Sequence, residues 1–322
     1  MSAAPTDDAR IAAHVSEITA AVDAQPLLRL EHAAIHVGDV AHGSDWYRRV
    51  LGLDEIARED GIAYLTCGAE PGFDLALVPG EHGLDHYAYS VDGEQTLDDL
   101  AAMLGTKGIA AQRATDPQPG VAASLRFRQD TADTDLELIV RAERPSYPGA
   151  HSWTAHGATG PLRINHVTFA GGDPARFCDF MVEVLRFRVS DVWIPAGSGA
   201  MRMAFLRVGE NHHDTAMLEG ETLGLHHTAF LVRDIGGLAS LSDRVIRAGE
   251  MGETGIVRHG PGNNVAFYVR DPWGNRNELT TDIAIVNDPK AGVKVWDEQV
   301  PIQLYNTWAP VDPPASWIHE VS

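Results

Sequence analysis

The chain has 322 residues, 44 % hydrophobic and 22 % charged, a composition that fits a folded globular protein of about two domains and excludes disordered or fibrous classes. Lysine and arginine number 25 against 45 aspartates and glutamates, and the resulting charge of −20 repels both nucleic acid and anionic membrane surfaces. The two cysteines, Cys67 and Cys178, lie far apart with no C-x-x-C spacing, so neither a disulfide framework nor a thiolate zinc site is indicated and a reducing cytoplasm is expected.

The opening MSAAPTDDAR is acidic where a secretory signal is basic, no apolar stretch follows it, and every apolar run falls far short of a membrane span. Ile11, Val15, Ile18 and Val22 recur at helical spacing with Thr6 and Asp7 placed as caps, predicting an amphipathic helix over 7–24 within an N-terminal segment 1–28. Such a helix packs on a domain or on a neighbouring subunit.

Beyond it the chain repeats. HAAIHVGDVAHGSDWYRRVLGL from His32 lines up with HVTFAGGDPARFCDFMVEVLRF from His166, pairing Asp39 with Asp173 and Trp46 with Phe180 at an offset of 134. LDHYAYSV and LHHTAFLV, and the stretches ending at Leu138 and Leu279, share an offset of 141, so the second copy carries seven extra residues ahead of His227. Within each copy, alternating apolar runs at Leu30, Leu84, Arg163 and Leu225 each lead into a helical stretch and further short β runs. The fold expected is α+β, with domains over 29–145 and 146–286, each of two βαβββ units curling a mixed sheet around a cavity. Residues 287–322, rich in proline and carrying Trp296, Trp308 and Trp317, read as an irregular tail or lid.

Strand alternation puts His32, His86, His166 and His227 on one face of their strands. With Glu137 and Glu278 they form two equivalent sets of two imidazoles and one carboxylate, an arrangement that leaves adjacent metal positions open, as in non-heme Fe(II) oxygenases. A lone histidine on a strand is usually structural; the sets carry the weight. Counting back from Glu278 reaches Tyr268 and His259, whereas the same counts from Glu137 reach Phe127 and Gln118; fourteen before His227 stands His213, and fourteen before His86 stands Gly72. Moving protons beside a metal requires a group titrating near neutrality, which histidine supplies, so the second half is expected to carry the chemistry. A metal in the first half would then be structural or vestigial.

INHVTF, NHHDTAML, LHHTAFLV, RHGPGNNVAFYVRDPWGNRNEL and VWDE at 295–298 together resemble the type I extradiol ring-cleaving dioxygenases of the vicinal oxygen chelate (glyoxalase-like) superfamily, in the branch of catechol and homoprotocatechuate 2,3-dioxygenases. The resemblance covers nearly the whole chain. It implies cleavage of a catechol by O2 at Fe(II), with Mn(II) a known substitute, and it makes His166, His227 and Glu278 the metal ligands. His213 becomes the acid/base, and His259 and Tyr268 its hydrogen-bonding companions, with His212 and His226 as the bystanders of the two histidine doublets. Thr168 stands where close relatives carry Asn beside the oxygen site. Relatives that accept carboxylated catechols place arginines where this chain has Thr254 and Ile302-Gln303-Leu304, which implies an uncharged catechol unless Arg247 or Arg258 compensates. Trp193 and the tail tryptophans are candidates for the pocket wall. The partners expected are the diol and O2, with no nucleic acid or membrane, in a homo-oligomer, dimer or tetramer. A 4-hydroxyphenylpyruvate-type dioxygenase, with its longer chain and C-terminal helix, and a non-catalytic binding protein of the same fold are the alternatives; glyoxalase-like isomerisation calls for a second carboxylate.

Overall fold

The computed structural model describes residues 5–22, 25–143, 160–288, 290–297, 302–309 and 311–322, with the backbone alone at 302–303. The boundary expected at 145/146 lies outside them. The first half runs β1 (Leu27–Val37), α2 (Val40–Trp46), β2 (Asp54–Glu59), β3 (Ile62–Thr66), β4 (Leu75–Pro79), β5 (Leu84–Val91), α3 (Glu94–Thr106), β6 (Ala111–Gln118), β7 (Val121–Gln129) and β8 (Thr134–Arg141), after a leading α1 (Asp7–Ala20). The second runs β9 (Arg163–Ala170), α4 (Pro174–Leu185), β10 (Arg188–Trp193), β11 (Met203–Arg207), β12 (Thr215–Leu218), β13 (Gly224–Leu231), α5 (Ile235–Arg247), β14 (Gly252–Arg258), β15 (Val265–Arg270) and β16 (Arg276–Thr281). These are the four βαβββ units of the repeat.

Each half folds into one mixed sheet, in the orders β2-β3-β4-β1-β5-β8-β7-β6 and β14-β15-β16-β13-β9-β12-β11-β10, the second extended at its β10 edge by β17 (Lys294–Trp296). The two central strands of each sheet run antiparallel and the flanking pairs run parallel, so β1, β5 and β8 lie side by side, as do β9, β13 and β16. Side chains one strand apart at the same level therefore meet on one face.

The sequence pairing of Asp39 with Asp173 has a local cause. Asp39 caps α2 by accepting from His42 N, and Asp173 caps α4 by accepting from the Ala175 and Arg176 amides. Phe177, Met181 and Leu185 then form the buried stripe of α4, and Arg186 ends it in the left-handed region at φ 61°. The seven-residue difference also acquires a position. Asp60 and Gly61 join β2 to β3, whereas residues 194–202 join β10 to β11, nine residues in place of two.

That longer loop is where α1 docks. Asp8 accepts from the amides of Gly197 (2.5 Å) and Gly199 (2.6 Å), His14 meets Asp179 at 2.9 Å, and Val15 is buried in the core shared by both halves. Thr6 caps the helix as expected, but it ends at Ala20, short of 24. Its apolar face is thus used within the chain. Among the described residues no helix is long and apolar enough to cross a membrane.

Candidate metal centre

Register brings the second-half triad together. On β9 and β13, His166 faces Ala229 and His227 faces Thr168, while β16 sets Glu278 beside Ala229. The donor atoms converge: His166 Nε2 and His227 Nε2 are 3.1 Å apart, and Glu278 Oε2 lies 3.2 Å and 2.9 Å from them. All three side chains are buried. An ion about 2.1 Å from each donor sets octahedral neighbours about 3.0 Å apart, so the triangle fits a divalent transition ion, and two nitrogens with one oxygen suit iron, manganese or zinc over calcium.

The tautomers agree with that use. His166 Nδ1 donates to Asn165 Oδ1 at 2.8 Å, which leaves its Nε2 lone pair facing the triad. His226 Nε2 lies 2.7 Å from the Trp317 carbonyl, which can only accept, so His226 Nδ1 is left to accept from His227 Nδ1, 2.7 Å away. His227 Nε2 is thereby bare as well. Sequence reasoning treats His226 as a bystander; the structure makes it the partner that orients a ligand histidine, and only the fold of the tail reveals this.

Burial, although opposed by Glu278, takes the His227 imidazole down to about 4. For Glu278 burial acts upward, but His166 and His227 outweigh it and hold the carboxyl well below its ordinary range. Its Oε1 accepts from Asn264 Nδ2 at 2.9 Å, a contact the motif reading does not single out.

His213, His259 and Tyr268 all line the same cavity, of about 230 Å3. The His213 ring centroid is 4.3 Å from that of His166, and burial drives its pKa well below the usual 6.5, keeping the ring neutral. His213 Nδ1 lies 3.0 Å from His212 Nδ1, and His212 Nε2 lies 2.9 Å from Asp191, out of line for a hydrogen bond but close enough to favour a proton on that nitrogen. His213 then donates through Nδ1 and presents a bare Nε2. Gly262 passes beneath it at φ +73°, where a Cβ would stand 3.1 Å from His213 Cε1. The His259 Nδ1–H donates to the Tyr305 carbonyl at 2.8 Å, and burial keeps that ring neutral too. Tyr268 Oη sits 2.8 Å from His259 Nε2 and 2.9 Å from Glu278 Oε2; its one proton serves either acceptor, not both.

Thr168 and Trp193 line the cavity, whereas Thr254 does not and instead meets the Tyr305 hydroxyl. Trp317 joins the wall; Trp296 donates to Asp191 and Trp308 is exposed with Arg258 over its ring. Arg258 is held by Asp282 and the Asn263 carbonyl, and Arg247 is an exposed neighbour of Asp243, so neither faces the cavity. Arg202, paired with Glu219 at the wall, has no signal in the sequence.

The first-half triad converges too, at 3.2 Å, 3.5 Å and 3.4 Å between His32, His86 and Glu137. Its surroundings correct two of the counted equivalences. Register opposes Tyr268 to Glu278 but Arg126, not Phe127, to Glu137: the paired residues stand ten apart in the β15–β16 hairpin and eleven apart in β7–β8. Phe73, not Gly72, occupies the place of His213, its ring 4.3 Å from that of His32. Gln118 does stand where His259 does, 3.1 Å from Glu137 Oε2. The first half thus lacks all three proton-handling groups.

Paired βαβββ modules with a facial His2Glu triad on each sheet define a metal-dependent protein of the vicinal oxygen chelate kind. The chain belongs to the Glyoxalase/Bleomycin resistance protein/Dioxygenase superfamily, whose model matches residues 29–128 and 163–279. It is 31 % identical over 123 residues to Metapyrocatechase 2 of Cupriavidus necator, a match spanning 38 % of this chain and 37 % of that protein. With the Metapyrocatechase of Pseudomonas sp. (strain CF600) it shares 25 % identity over 264 residues, 79 % of this chain and 85 % of the relative. Homoprotocatechuate 2,3-dioxygenase from Brevibacterium fuscum, solved as its anaerobic complex with 3,4-dihydroxyphenylacetate, has the same fold: TM-score 0.83 at 24 % identity, covering 94 % of this chain and 95 % of that one.

Proposed function

We propose that the chain is an extradiol dioxygenase that opens the ring of an uncharged catechol beside its two hydroxyls, at an Fe(II) held by His166, His227 and Glu278. The observation that carries this reading is the side-chain set around one cavity: three metal donors 2.9–3.2 Å apart, with His213, His259 and Tyr268 on the same walls. When bound, the ion would hold the diol and O2 on neighbouring positions and let electrons pass between them.

The chain's own residues do the rest. His213 Nε2 takes a proton from the diol and returns it later in the turnover. Tyr268 polarises the substrate oxygen when its one hydroxyl proton turns from His259 or Glu278 to that oxygen, and the Tyr305 carbonyl keeps His259 in the tautomer that can accept the proton back. Phe205, Leu218, Leu304, Tyr305, Trp317 and Ile318 exclude water and give the ring an apolar wall. A cavity of about 230 Å3 is below the roughly 300 Å3 at which drug-sized sites begin, which suits one substituted ring. Arg202 is already paired with Glu219, so no free cation among the described lining residues meets a substrate carboxylate.

Oxygen uptake by the Fe(II)-loaded protein tests the reading. Catechol and 3-methylcatechol should consume O2 and give a yellow ring-opened product that a chelator abolishes; no uptake refutes it. A clear preference for homoprotocatechuate refutes the uncharged substrate alone. Mn(II) loading compares the two ions. The same proposal places the enzyme in the cytoplasm as a homo-oligomer, for which sedimentation supplies the subunit number.

A further inference from the structure

We propose that His32, His86 and Glu137 bind a second divalent ion, one the chain uses for structure rather than chemistry. His32 Nε2, His86 Nε2 and Glu137 Oε2 form a triangle of 3.2 Å, 3.5 Å and 3.4 Å, and an ion about 2.1 Å from each donor in tetrahedral geometry sets its ligands about 3.4 Å apart. The three side chains are buried, on adjacent central strands, in the register that assembles the other triad.

Two further observations point to a ligand. His86 Nδ1 lies 2.6 Å from Asp85 Oδ2, the carboxylate–imidazole arrangement that orients ligand histidines, and also touches the Arg126 guanidinium, which can only donate. Gln118 brings its amide to 3.1 Å from Glu137 Oε2 and 3.4 Å from His86 Nε2, while its buried Oε1 has no partner. A half-turn of that amide puts the oxygen where the nitrogen now stands and supplies a fourth donor. Two imidazoles, a carboxylate and an amide oxygen close a four-coordinate shell, which is how structural zinc is held, whereas catalysis needs an open position.

The neighbours agree with a silent site. Phe73 covers His32 with a ring that carries no proton, and Arg126 touches the Nδ1 edge of His86, 3.5 Å from Asp85 and 4.0 Å from Glu137 Oε1. The guanidinium stands outside the donor triangle and balances Asp85. It also repels the ion, so this site should bind more weakly than the other.

Zinc is the probe. Chelator-stripped full-length protein, dialysed against Zn(II), should hold two ions per chain by elemental analysis, and one in either Glu137→Gln or His166→Ala. One ion per chain, lost in His166→Ala and retained in Glu137→Gln, overturns the proposal. Crystals of the zinc-loaded unmutated protein decide the matter even where a variant fails to fold. Anomalous density at the zinc edge within bonding distance of His32, His86 and Glu137 supports the site, and density at His166, His227 and Glu278 alone overturns it.

Discussion

Replacing His226 by leucine tests the chain of contacts that orients His227. The Trp317 carbonyl fixes a proton on His226 Nε2, and His226 Nδ1 in turn accepts from His227 Nδ1. Leucine removes that acceptor and leaves a buried N–H unpaired, at a cost of about 1–3 kcal/mol, and it frees His227 to move its proton onto the metal-facing nitrogen. Loss of such an outer partner typically weakens metal binding about 10–100-fold, or about 1.4–2.7 kcal/mol. The assay is the Fe(II) concentration that restores half of the full ring-cleaving rate to stripped protein, which reports the His166–His227–Glu278 site alone. His226→Leu should raise it by that factor, and His226→Asn, which keeps an acceptor, should recover part of the loss. A His226→Leu half-point within twofold of the unmutated protein would refute the reasoning.

Arg276 is fully buried, bonded to Glu253 through two nitrogens and to the carbonyls of His226, Ser316 and Glu320. Arg276→Ala leaves the Glu253 carboxylate to Arg270 and unpairs the three carbonyls, and should cost about 1–3 kcal/mol in urea unfolding, with Arg276→Lys a poor rescue. Gly262→Ala forces a left-handed residue and pushes a methyl group toward His213; kcat should fall at least tenfold, more than metal content does. His213→Asn and Tyr268→Phe should each lower kcat by about 10²–10⁴ while elemental analysis finds the ion retained. Burial holds His213, His226 and His259 below the usual histidine value of 6.5, so the unfolded chain binds more protons than the folded one as pH falls past that point. The metal-free protein should therefore lose stability from about pH 6.5 downward, and a urea midpoint that climbs over that range contradicts this.

Much of this architecture is legible in the sequence because duplication writes it twice. Strand alternation and the internal repeat suffice to place the four units and to group His166, His227 and Glu278 as one set. Counting along the chain fails where the two copies space equivalent residues differently, which is why Arg126 and Phe73 emerge only from the strand register and the ring contacts. Asn264, Tyr305 and Trp317 reach the site from loops and the tail, where no period announces a direction. Thr254 shows the converse: its position follows a family pattern, but its hydroxyl is taken up by Tyr305 before it can reach the cavity.

The tail's hold on His226 is made by a peptide carbonyl, so no side-chain replacement at position 317 deletes it. What the tail must conserve is distance along the chain rather than spelling. Substitutions between β17 and Trp317 can accumulate and retune the cavity wall, whereas gaining or losing one residue there presents a different oxygen to the imidazole. In descendants of this chain, length in that stretch should be held while its composition drifts.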